Sequence, residues 1–166
     1  MNESYVECMV ARKSSPLKNV LKYIIYILTG ASAVGFIAGN WLFLVPLAAF
    51  GLMSFLVVPG FDLEFEYLYL DREITIDKIM SKQKRKTVRT LELSKMEYIC
   101  PINSHQLDPY KSRNMKISDY SSKDPNASVW VLVYKEKSEE ELIGLEPNEE
   151  FIKAIKNLYP RKVIEY

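Results

Sequence analysis

The stretch "VVPGFDLEFEYLYLD", residues 57–71, changes character at its centre. Before Pro59-Gly60 the chain is apolar on every face. After them, Phe61, Leu63, Phe65, Tyr67 and Tyr69 alternate with Asp62, Glu64 and Glu66. Alternation with aromatic enrichment is the signature of a half-buried strand. A lipid-like segment therefore ends where a strand begins.

Upstream, residues 23–58 hold no Asp, Glu, Lys, Arg or His in a run of 36. As a single helix the run would reach about 54 Å, against a hydrocarbon core of about 30 Å. It divides at Gly39-Asn40 into two spans, read within 19–38 and 41–58, with Tyr23 and Trp41 suited to interfacial anchoring. Neither span has the polar face of a soluble core helix. Ala31-Ser32-Ala33 superficially fits a signal cleavage site, but an 18-residue hydrophilic lead is long and the second span would still remain. Arg12, Lys13, Lys18 and Lys22 flank the first span and the turn carries no charge, so both flanks are expected in the cytoplasm, at the cell membrane. Cys8 and Cys100 are then expected as reduced thiols. Ala31, Gly35 and Gly39 recur at four-residue spacing, which allows close helix approach. Packing of the two spans on each other uses that spacing most simply; docking on another membrane protein is the alternative.

Residues 61–166 have ordinary globular composition. Asp71-Arg72 reads as a tight turn leading to a returning strand at 73–80. Further strands are expected at 86–93, 95–102, around Asn114–Ile117, at 129–135 and at 140–147. "NEEFIKAIKNLYP" (148–160) reads as a helix: Asn148 suits the N-cap, Glu149-Glu150 fill the first turn, and Pro160 ends it. The chain is thus organised as an N-terminal segment (1–18), a helical hairpin (19–58) and a β-domain with a terminal helix (61–166). The class is an α+β membrane protein.

The strand pair "FEYLYLDREITIDKI" (65–79) and the helix after "LEPNEE" (145–150) resemble the bacterial pleckstrin-homology-like domain, a small bent antiparallel sheet closed by a helix. The segments "YVECMVARK" (5–13), "INSHQLD" (102–108), "DYSS" (119–122) and "PRKV" (160–163) are similar to a family of small two-span membrane proteins from Gram-positive bacteria, of unknown function. The resemblance implies the architecture and no activity.

The most distinctive charge feature is "KQKRKTVR", with Lys82, Lys84, Arg85, Lys86 and Arg89. Residues 76–100 carry a net +4, whereas residues 59–75 hold five acids and one base. A basic hairpin tip against anionic headgroups is one reading, since each Lys or Arg near such a surface is worth about 1 kcal/mol. A solvated hairpin is the plain alternative. Nucleic acid is not an expected partner, because the patch is short and lacks interleaved aromatics.

His105, Asp108, Arg113, Asp119 and Tyr120 are a second candidate surface, in the polar stretch 103–128. Ser104, His105 and Asp108 lie too close in sequence to form a triad, which is assembled from separated segments. Cys100 and His105 lack a third group. One histidine is too few for a metal site, and no phosphate-binding glycine loop is present. No catalytic residue and no cofactor are therefore expected. The expected function is a non-enzymatic, membrane-anchored interaction module whose partners are the bilayer, anionic headgroups and a membrane or cytoplasmic protein. The alternative is an accessory subunit of a larger membrane complex, recognised through the transmembrane hairpin.

Overall fold

A computed structural model describes residues 5–137 and 139–165. It divides into an apolar unit, Lys13–Leu63 with Ile79–Arg85, and a β-unit, Met1–Arg12 with Glu64–Lys78 and Lys86–Tyr166.

The apolar unit is built on two helices. Helix α1 (Pro16–Ile37) starts with proline at its first position, where the missing N–H is no loss. Gly39, at φ 89°, makes the turn that L side chains resist. Asn40 then accepts a hydrogen bond from the Leu42 N–H and starts a short 3-10 turn. Helix α2 (Leu44–Leu56) follows and packs on α1. A second 3-10 turn at Val58–Gly60 breaks it, as Pro59 requires. The hydroxyls of Thr29, Ser32 and Ser54 donate to helix carbonyls at 2.8, 2.7 and 3.2 Å, so each is satisfied within its own helix. Both segments, Pro16–Ile37 and Trp41–Gly60, are long and apolar enough to cross a membrane.

The β-unit opens with a strand outside the expected set. β1 (Val6–Ala11) pairs antiparallel with β2 (Leu63–Leu70), in register from Val6↔Tyr69 to Ala11↔Glu64. The N-terminal segment is therefore more than a lead before the first span. Val6, Cys8 and Val10 do alternate, but the run is short and its partner lies beyond both helices. The helical hairpin is thus an insertion between two neighbouring strands.

β3 (Glu73–Met80) follows β2 through Asp71-Arg72, both at positive φ, the two-residue turn expected there. β4 (Lys84–Glu92) completes a sheet of order β1-β2-β3-β4. The second sheet comprises β5 (Met96–Pro101), β6 (Ile117–Asp119), β7 (Trp130–Glu136) and β8 (Glu139–Leu145), in the order β5-β7-β8-β6. β6 lies three residues later than expected at its start and runs parallel to β8. A 3-10 turn at His105–Leu107 and the five-residue α3 (Asp108–Ser112) were also unexpected. Leu107 and Tyr110 from them are buried in a small cluster with Cys100, Val131, Val133 and Leu142. The main core joins both sheets to α4 (Glu149–Leu158). Phe151 of α4 meets Tyr67 and Tyr69 edge-on, at centroid distances of 6.1 and 6.2 Å. Asn148 caps α4 by accepting from the Phe151 N–H at 2.8 Å.

Candidate functional site

The β3–β4 tip belongs to the apolar unit, and its chemistry explains why. Ser81 and Lys82 both sit at positive φ, and the Gln83 N–H returns to the Met80 carbonyl at 3.1 Å, closing a two-residue turn. Three contacts seat this turn at the end of α2. The Ser81 N–H donates to the Asp62 carbonyl at 2.8 Å, and the Ser81 hydroxyl donates to the Pro59 carbonyl at 3.3 Å. The Lys84 ammonium lies 4.9 Å from the centroid of the Phe55 ring, a cation–π distance. From the other helix, Lys22 Nζ reaches Asp62 Oδ2 at 2.6 Å. Asp62 thus joins the base of α1 to the hairpin tip.

The charge of this unit is one-sided. It contains Lys13, Lys18, Lys22, Lys82, Lys84 and Arg85 against Asp62 alone, a formal +5, which leaves −4 on the β-unit. All six cations lie outside the uncharged run 23–58, with Lys18 and Lys22 in the first two turns of α1.

The five basic residues singled out in the sequence do not act alike. Lys82, Lys84, Arg85 and Lys86 are exposed. Among the described residues Lys82, Lys84 and Lys86 form no ion pair. Arg89 is different: it grips Glu141 with both terminal nitrogens, Nη1 to Oε1 at 2.6 Å and Nη2 to Oε2. That fork is a structural tie within the β-unit rather than a free cation. Nothing in the sequence linked residues 52 positions apart.

The second candidate surface is dispersed. The His105 side chain is wholly exposed, with Nδ1 at 3.3 Å from Asp108 Oδ2. Arg113 lies over Tyr110, 4.9 Å from its centroid, and pairs with Glu140 at 2.9 Å. Asp119 pairs with Arg12 and accepts from the Ser121 N–H and hydroxyl at 2.9 and 2.6 Å. Tyr120 packs inward, edge-on to Phe65 at 5.5 Å, and its carbonyl accepts from the Tyr67 hydroxyl at 2.6 Å. Cys100 is fully buried while His105 faces outward, so the two do not form a nucleophile–base pair. Burial pushes the Cys100 thiol above its ordinary range, away from thiolate chemistry. Among the described residues no group of three His, Cys, Asp or Glu side chains is placed to hold a metal.

The small residues of α1 also separate. A Cβ on Gly35 would meet the Phe43 ring at 2.6–2.8 Å, so Gly35 makes room for the hairpin's own turn. Gly39 serves that turn, and Ala31 is exposed.

A protein-family model described as bacterial PH-like domain (DUF6106) matches residues 2–165. No curated protein and no solved structure matches the chain. The family match takes in the apolar helices as well as the sheets, and the chain belongs to this bacterial PH-like family.

Proposed function

We propose that this bacterial PH-like chain is a non-enzymatic interaction module anchored in the cell membrane by its helical hairpin, with both termini and the β-domain in the cytoplasm. The observation that carries the reading is the insertion of the hairpin between paired strands. Because Ala11 faces Glu64, the two ends of the inserted segment leave the sheet side by side. Two spans then return the chain to the side it left.

The exposure of the helices supports the membrane. Only 11% of the first apolar window and 6% of the second is buried, whereas the core helix of a soluble protein is mostly buried. The basic flanks support the orientation, since Lys and Arg near span ends favour the cytoplasmic side. The separation of Cys100 from His105 supports a binding role over a catalytic one. The accessory-subunit reading has less support, because Gly35 is filled by Phe43 and the small-residue face is not open along its length.

The test is carbonate extraction combined with single-cysteine labelling in intact cells, using a membrane-impermeant maleimide. Cys8 and Cys100 are both buried and give a quiet background. The protein should stay in the pellet, Asn40→Cys should label from outside, and Lys123→Cys should label only after permeabilisation. Release by carbonate, or the reverse labelling pattern, overturns the reading.

A further inference from the structure

The geometry points to a basic collar of Lys18, Lys82 and Lys84 that binds the headgroups of anionic phospholipids. The inference rests on the membrane-anchored reading above and adds the ligand class.

Three observations carry it. The first is charge separation within one small chain: +5 on the apolar unit and −4 on the β-unit. An anionic surface attracts the first and repels the second.

The second is how the cations of the apolar unit are used. Lys22 is neutralised by Asp62 at 2.6 Å. Lys18, one helical turn before it, is exposed, as are Lys82 and Lys84, and none of the three has an ion-pair partner among the described residues. A lysine that makes no internal pair keeps its full charge for an external anion. Arg89, held by Glu141, has none to offer.

The third is depth. The tip is seated on Pro59 and Asp62 through Ser81, and Lys84 lies over Phe55. Phe55, Leu56 and Val57 are all exposed large apolar residues, as are Tyr23, next to Lys22, and Tyr26, one turn beyond it. The lysines are therefore held where the apolar surface of the helices ends. Lipid phosphates occupy that level of a bilayer, and aromatic side chains favour it. A soluble polyanion would have to approach beside exposed Phe55 and Tyr26, which it leaves uncovered and lipid covers. A lysine at an anionic surface is worth roughly fivefold in partitioning, so three acting together give a marked preference.

The experiment uses the full chain in nanodiscs of phosphatidylcholine with a phosphatidylglycerol fraction. Gln83→Cys carries a fluorophore, and a nitroxide quencher sits on the acyl chain of either lipid, next to the headgroup. Quenching by phosphatidylglycerol should exceed that by phosphatidylcholine by roughly fivefold or more. The preference should fall to near unity in about 0.5 M salt and in a Lys18→Gln/Lys82→Gln/Lys84→Gln variant. Arg89→Gln should leave it unchanged. Equal quenching by the two lipids, or a preference that survives the triple variant, overturns the collar. If neither lipid quenches the tip while Trp41 fluorescence, read in a Trp130→Phe background, is quenched, the collar fails and the anchor stands. If Trp41 is unquenched and carbonate releases the protein, the anchor fails and takes the collar with it.

Discussion

Arg12, the last residue before the helical insertion, holds Asp119 at 3.4 Å through Nη2 while its guanidinium carbon lies 5.4 Å from the centroid of the Phe65 ring. One side chain thereby ties the end of β1 to β2 and to the end of β6. Asp119 does more, because its other oxygen also accepts from the Ser121 N–H and hydroxyl. Arg12→Ala should cost about 1 kcal/mol, and Asp119→Ala about 2 kcal/mol because it also strips two donors of their acceptor. Thermal midpoints in detergent micelles should fall in that order. Equal losses would mean the Ser121 contacts contribute nothing.

The register Ala11↔Glu64 predicts how the β-domain can be isolated. A fragment beginning at Phe61 lacks β1, so the inner face of Val6, Cys8 and Val10 is missing and the edge of β2 is bare. It should aggregate or fail to melt cooperatively. Replacing residues 13–62 by Asn-Gly should instead give a soluble, cooperatively folding domain, since that dipeptide suits a two-residue hairpin turn. Circular dichroism melts of the two proteins decide the matter. A cooperative melt from the shorter fragment would show that β1 is dispensable.

Gly35 and Ala31 should separate on substitution, although the sequence pairs them. Gly35→Leu drives a side chain into the Phe43 ring and should destabilise the hairpin by about 2 kcal/mol. Adding Phe43→Ala should recover most of the loss. Ala31→Leu, at an exposed position, should stay within about 0.5 kcal/mol. Resistance of the detergent-solubilised protein to limited proteolysis reads all three.

Cys8 and Cys100 should be inert in the folded protein and should set a limit on its stability in alkali. Burial is the main cause raising both thiols, and it raises the Tyr67 and Tyr69 hydroxyls in the same direction. Each group therefore stays protonated in the folded chain at a pH where the unfolded chain has released its proton. Their contribution is complete below the unfolded thiol value of about 8.5 and is lost as pH rises above it. The urea midpoint should fall between pH 8 and 10, and less so in a Cys8→Ala/Cys100→Ala variant compared with its own value at pH 7. Iodoacetamide should modify the native thiols only once urea is added.

The sequence revealed features whose cause is local. Uncharged residues 23–58 read as apolar helices, Asp71-Arg72 as a tight turn, and Asn148 before a periodic run as a helix start. It hid features whose cause is distant. Val6, Cys8 and Val10 show the alternation of a strand, but their partners Tyr69, Tyr67 and Phe65 come after both apolar helices. Leu107 and Tyr110 are a helical pair too short to stand out. "KQKRKTVR" looked like one patch because charge is visible in a sequence and pairing is not. Glu141 removes Arg89 from the patch. Asp62, Pro59 and Phe55 give Lys84 and its neighbours their position.

The placement of the hairpin between β1 and β2 also fixes an order of events during synthesis. β1 leaves the ribosome first, and 51 residues must follow before the strand it pairs with can appear. Those residues are the two apolar helices. The sheet cannot close over Tyr67 and Ile76 until both have been made and the chain has turned back at Gly39. A nascent chain halted within the insertion carries an unmatched first strand, so Val6, Cys8 and Val10 stay open and within reach of proteases. The first strand made is thus among the last to find its place in the sheet.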